Sequence, residues 1–193
     1  MLTYDFSAID SRSLLFVGLD ASAAEPSNLA LKFEQFTALC VEQQRIIAAL
    51  LITGAQHSPE LAQVIAQAQA QDVACLIEDD ANLAHALQAD GVLYHSAQDF
   101  TAQAELRTQH QLTAGICVGS SRHQAMEAGE SEPDFLFFGT VDQAVAAQEA
   151  FELAQWWAQL FEIPCVCANP ASVQAPQAKQ LENPIEFSYA LLD

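Results

Sequence analysis

The stretch Cys75–Phe100, CLIEDDANLAHALQADGVLYHSAQDF, decides the fold. Its first residues continue an apolar run, Val73–Glu78, that is short enough for a buried strand and ends in three consecutive acids, Glu78-Asp79-Asp80. A segment of helical period follows over Asp80–Gln88, and either Asp79 or Asp80 can cap its first turn. Gly91–His95 is then a second apolar run, begun by a glycine that is free in its backbone angles. Strand, acidic turn, helix and strand in so few residues is one β/α unit of a parallel sheet.

Working outward, the same alternation fills the chain. Strands are expected at Leu14–Leu19, Ile46–Thr53, Val73–Glu78, Gly91–His95, Thr113–Gly119, Phe135–Gly139, Cys165–Ala168 and Ile185–Tyr189. Helices are expected at Leu29–Gln43, Pro59–Gln71, Asp80–Gln88, Ala102–His110, Arg122–Gly129, Gln148–Phe161 and Ser172–Gln180. Ser58-Pro59-Glu60 supplies a hydroxyl cap and a proline in the first helical turn. Eight strands in strict alternation, in one domain over residues 1–193, favour a compact (β/α)8 TIM-type barrel over an open doubly wound sheet.

Ser188–Asp193 is too short for a full eighth helix, so that helix is expected to be short or missing. An apolar strip on the last strand and on the neighbouring first strand is then expected to need a cover. The segment Met1–Ile9 could fold over it, and a symmetric homodimer is the favoured alternative.

Charge bounds the function. The 193 residues carry 25 acids against 6 Lys+Arg, a formal net charge of −19. Nucleic acid and anionic membrane surfaces need a basic footprint, so neither is expected as a partner. No apolar run approaches the ~20 residues that span a bilayer, and the acidic start MLTYDFSAID does not read as a secretory signal. Five cysteines without a regular framework suit a reducing compartment, and the expected location is the cytoplasm. The fixed cations are Arg12, Lys32, Arg45, Arg107, Arg122 and Lys179, a thin supply for holding phosphate.

The residues from Ala74 to Ala168 resemble the thiamine phosphate synthase family and its TenI-like relatives. The resemblance is carried by the Cys75–Phe100 stretch, by GICVGSSRHQAMEAGESEPDFLFFGTVD at 115–142 and by ELAQWWAQLFEIPCVCAN at 152–169, and it looks closest to a divergent proteobacterial branch. It implies a (β/α)8 barrel in thiamine-related metabolism. It also implies a Mg²⁺-dependent transferase that joins hydroxymethylpyrimidine pyrophosphate to thiazole phosphate. By position, Asp79 matches the family's first Mg²⁺-binding Asp, and Asp99 matches the second if one residue is inserted before it. Ser120 or Ser121 matches the serine after the fifth strand, and Gly139 the glycine after the sixth.

The sequence departs from that pattern where phosphate is held. Glu78 stands for the family's Asn, Asp80 for its Arg, and Leu50-Leu51-Ile52-Thr53 for the basic and amide residues of the second strand. Asn169-Pro170 replaces paired glycines: proline removes a backbone donor and a side chain at 169 obstructs close approach. Altered or degraded activity, with a ligand that is neutral or cationic, is therefore expected beside the alternative of an active synthase.

Several residues carry a chemical and a structural reading at once. Asp79 and Asp99 are the candidate Mg²⁺ ligands, while capping and a solvated acidic turn is the plainer role for the acidic trio. Ser120 and His123 are candidate catalytic groups; Arg122, Gly139, His95 and Asn169 are candidate ligand contacts. His123 reads equally as a surface residue at a helix start, and His95 at a strand's end is better placed for a barrel mouth. Cys165 and Cys167 share a strand face and could join a histidine in a soft-metal site, or act as small buried hydrophobes. Trp156-Trp157 reads as packing against the barrel wall or a partner.

Overall fold

The computed structural model describes residues 14–22, 26–42, 44–142, 146–168 and 187–192. Eight parallel strands close into a barrel in sequence order: β1 (Leu14–Asp20), β2 (Ile47–Thr53), β3 (Ala74–Glu78), β4 (Gly91–Tyr94), β5 (Thr113–Gly119), β6 (Phe135–Phe138), β7 (Cys165–Ala168) and β8 (Phe187–Leu192). Around them lie α1 (Pro26–Glu42), α2 (Pro59–Gln69), α3 (Ala81–Ala86), α4 (Ala97–Ala102), α5 (Ala104–His110), α6 (Arg122–Glu130) and α7 (Ala147–Leu160). The chain is a (β/α)8 TIM-type barrel, and among the described residues no helix follows β8.

Local chemistry explains the helices. Ser58 accepts the Leu61 N–H at 3.1 Å and Pro59 occupies the first turn of α2, whose buried stripe is Leu61, Val64, Ile65 and Ala68. Asp80, rather than Asp79, caps α3 by accepting the Leu83 N–H. The sequence reading has one helix from Ala102, whereas two short ones form. Ser96 caps α4 by accepting the Asp99 N–H at 3.0 Å, and the path breaks at Gln103. That side chain is diverted inward: its Nε2 donates to the Asp79 carbonyl at 2.9 Å and its Oε1 accepts the Ala81 N–H at 2.9 Å.

Two apolar layers result. The outer one lies between strands and helices; the inner one fills the barrel with Phe16, Leu51, Leu76, Phe137, Val166 and Tyr189 among others. Tyr189 crosses the interior against Gly18, where an added Cβ would lie 1.9 Å from the tyrosine oxygen, and its hydroxyl donates to the Val141 carbonyl at 3.1 Å. The interior is thus a packed core, and a cavity lies above it at the strands' C-terminal ends.

Three expectations change. The last strand continues through Leu192, so Ser188–Leu192 is strand. The expected exposed strip on β1 does not exist: its outward side chains Leu15, Val17 and Leu19 are 0–1% exposed, in one cluster with Leu29, Phe33 and Phe36 of α1. Cys165 and Cys167 face the outer layer, whereas Val166 and Ala168 face the barrel, so the two thiols point away from the mouth. Trp157 packs as expected, 1% exposed, stacked on Phe161 and donating to the Ile163 carbonyl. Residues Met1–Ile9, Asn169, Pro170 and the helix expected at Ser172–Gln180 lie outside the described residues. No helix among the described residues is long and apolar enough to cross a membrane.

Candidate functional site at the barrel mouth

The strands deliver a ring of polar residues to one end. Asp20 ends β1 and pairs in register with Thr53, which ends β2. Glu78 ends β3 and pairs with Leu93, two residues before His95. Strand alternation turns Leu93 and Cys117 inward, and His95 shares that parity with Leu93. A cavity of about 490 Å³ opens there, lined by Asp20, Ser22, Thr53, Gly54, Glu78, His95, Thr140, Val141 and Asp142.

His95 is the hub. Its Nε2 lies 2.6 Å from Glu78 Oε1 and 3.9 Å from Asp79 Oδ2, and its backbone N–H donates to Asp79 Oδ1 at 2.9 Å. Hydrogen bonds to the Cys117 side chain and to Glu78, with the nearby Asp79 charge, outweigh burial and push the imidazole up to about 10. The Cys117 Sγ itself donates to the Gly139 carbonyl at 3.3 Å. Asp79 sits at φ 55 on the turn that Gln103 ties down. Burial raises its carboxyl above the usual range despite the His95 N–H and charge, and the Glu78 and Asp99 charges add to the rise.

The residues singled out from sequence divide into two groups. His95 lines the cavity, and Asp79 and Asp99 lie close enough for their charges to couple. Gly139 is buried at φ 98, where a Cβ would come within 2.6 Å of Ala168 Cβ, so backbone space fixes a glycine there. Ser120 and His123 are exposed and not among the cavity's lining residues, and Ser121 caps α6 by accepting the Gln124 N–H. Arg122 lies over the Trp156 ring at 4.9 Å, on the α7 side. Arg107 lies over Phe100 at 3.5 Å and donates to the Phe100 carbonyl. None of Lys32, Arg45, Arg107 and Arg122 lines the cavity.

The sequence reading missed Asp20, Asp142, Gln103 and Cys117. Asp20 was legible as the acid at the end of an apolar run, the position barrels use for chemistry. Cys117 was legible through the alternation of β5, which puts it on the inner face.

Mg²⁺ would find two carboxylates here, Asp79 and Asp99. Asp79 Oδ1 is engaged by the His95 N–H and Asp99 Oδ2 by the Ser96 hydroxyl. No group of three His, Cys, Asp or Glu side chains forms a metal cage among the described residues. Mg²⁺ accepts one or two carboxylates when water and substrate oxygens complete its shell, so the pair fits it in that form only.

Residues 51–174 match the family model for thiamine monophosphate synthase. The thiamine-phosphate synthase of Erythrobacter litoralis (strain HTCC2594) is 44% identical over 105 residues, 50% of this chain and 48% of that protein. That of Rhodospirillum centenum (strain ATCC 51521 / SW) is 34% identical over 114 residues, 55% of this chain and 53% of that protein. The chain spans about half the length of the curated relatives it matches. Among solved structures, thiamine phosphate pyrophosphorylase from Pyrococcus furiosus superposes with a TM-score of 0.62 at 16% identity, covering 94% of this chain and 86% of that one. At that identity the likeness speaks for the fold alone.

Proposed function

The chain belongs to the thiamine monophosphate synthase family, and on that premise we propose that its barrel mouth binds a thiamine-related molecule without a phosphate group, neutral or cationic. What carries this is the charge of the mouth: Asp20, Glu78 and Asp142 line it, and no Arg or Lys among the described residues joins them. An anionic ester there would face these carboxylates, with His95 the cationic lining residue among those described, whereas a thiazolium or ammonium cation is attracted. Thr53, Ser22 and Thr140 add hydroxyls that can orient a small polar ring.

His95 holds its proton near neutrality, with Nε2 against Glu78 and the residue lining the cavity, so it can donate to a ligand oxygen or ring nitrogen. Glu78 fixes that ring, and Asp79 fixes the backbone beneath it. The active-synthase alternative is favoured by one observation, the coupling of Asp79 and Asp99, which are the residues that would hold Mg²⁺. Bound there, the ion would neutralise charge on a diphosphate leaving group.

Incubation of the full chain with hydroxymethylpyrimidine pyrophosphate, thiazole phosphate and Mg²⁺ separates the two. No pyrophosphate release above the uncatalysed rate is expected, because removal of even one group that stabilises developing charge typically costs ~2.7–4 kcal/mol. Multiple turnovers giving thiamine phosphate would establish the synthase instead.

A further inference from the structure

Trp156 and Arg122 take no part in lining the barrel mouth. They meet instead on the outer surface, where α6 and α7 lie against each other. The inward side of α7 buries Ala150, Ala154 and Trp157, whereas α6 buries only Ala125 and Ala128. The Trp157 ring fits so closely at Gly129 that a Cβ there would come within 2.6 Å of it. Small residues on α6 thus let the helices approach, and the one long apolar side chain of α6, Met126, stays outside.

Helical spacing sorts the outer face into two rows. Arg122, Met126 and Glu130 stand one turn apart on α6, and Glu152, Trp156 and Leu160 do so on α7. The rows touch where the Arg122 guanidinium lies over the Trp156 ring at 4.9 Å. That ring in turn meets Phe161 edge-on, with centroids 5.7 Å apart. Met126 is 41% exposed and Leu160 is 63% exposed. Tryptophan, methionine and arginine are the residue types that the centres of protein interfaces favour.

The rim of this face is acidic. Glu127, Glu130 and Glu132 follow Met126, while Glu152 and Glu162 flank the Trp156–Leu160 row, and all five are exposed. Arg122 is the sole Lys or Arg on the two helices, and it is laid on the tryptophan. An apolar face rimmed by carboxylates is complementary to a segment whose apolar anchors are flanked by Lys or Arg. A second copy of the chain fits poorly, because it would bring the same glutamates and another net charge of −19 to the contact.

We propose that the α6–α7 face docks a basic amphipathic helix of another protein. Its apolar side chains lie over Met126, Trp156 and Leu160, and its Lys or Arg residues pair with Glu130, Glu152 and Glu162. A helix suits the face because its anchors recur at i, i+3, i+4 and i+7, the spacing that carries two rows of contacts. The face lies outside the barrel, so a mouth that binds no thiamine leaves this docking unchanged.

The test is titration of the full chain with a synthetic, tryptophan-free amphipathic helix of Leu and Lys, followed by tryptophan emission. Trp156 is half-buried, and covering it is expected to shift the emission to the blue, saturating at one peptide per chain. Absence of saturable binding would overturn the proposal. A Leu and Glu helix of the same pattern is expected not to bind, and binding as tight as that of the Lys helix would contradict the basic partner.

A chain of this charge attracts any polycation, so the decisive variants keep the charge constant. Met126→Gln combined with Leu160→Gln, both at exposed positions, is expected to weaken binding at least ~10-fold. Val41→Gln, at a position 77% exposed on α1, is the matched control and should bind like the wild type. Equal affinities of the double variant and the control would reduce the attraction to net charge and sink the proposal. A wild-type dimer in light scattering that the double variant dissolves would assign the face to a second copy instead.

Discussion

Glu78 Oε1 and His95 Nε2, 2.6 Å apart, join the end of β3 to the residue after β4. The contact gives the acidic mouth its one cationic group among the described lining residues. The pH dependence follows with a definite sign. The folded imidazole, raised to about 10 by Cys117 and Glu78, lies above its unfolded value of ~6.5. Its stabilisation is fully present below that lower value and is lost as pH rises through about 10. The side chain is 39% exposed, so solvent screening limits the effect to ~1 kcal/mol. Urea titrations of wild type and Glu78→Gln should therefore differ most near pH 6 and converge toward pH 10 and above.

Gly139→Ala should destabilise the barrel by ~2–4 kcal/mol, because φ 98 is strained for alanine and its Cβ would press on Ala168 and Ala150. Gly119→Ala is the control: φ is 57 but the nearest atom to a new Cβ is 4.0 Å away. A cost of ~1 kcal/mol is expected there. Equal costs in chemical denaturation would mean that crowding against β7 is not what requires a glycine at 139.

Gln103→Ala leaves the Ala81 N–H and the Asp79 carbonyl without the amide that joins them. A loss of ~1–2 kcal/mol is expected. The Asp79 turn should loosen with it, and faster amide exchange at Ala81 and His95, read by mass spectrometry, is the specific signature.

If Asp79 and Asp99 share a divalent ion, Mg²⁺ at about 100 times its dissociation constant should add ~2.7 kcal/mol to stability. Asp79→Asn should abolish that response. A melting temperature that rises equally in the variant would remove Asp79 from the site.

Much of the barrel was legible because its strands are short, apolar and regularly spaced: every expected strand forms within a few residues of its expected limits. What escaped depended on contacts distant in sequence. The break between α4 and α5 is set by Gln103 reaching Asp79 across the β3–α3 turn, 24 residues away. The outward side chains of β1 are buried in one apolar layer with residues of α1, so the need for a partner on that strand disappears once Leu15, Val17 and Leu19 are placed. In the site, His95 and the acids at the end of β3 were visible as strand-end polar residues. The closing of Glu78 on His95 was not, because it depends on which strands are neighbours and at what register.

The proposal to be tested is that the acidic mouth favours a thiamine-related ligand without phosphate. It is tested most directly by calorimetric titration of the full chain, in chelator and low salt, with thiamine and with thiamine phosphate in parallel. The proposal predicts that thiamine binds at least ~10-fold more tightly, an advantage of ~1.4 kcal/mol, and that Glu78→Gln narrows the difference. Micromolar binding of thiamine phosphate without metal, equal to or tighter than that of thiamine, would contradict it.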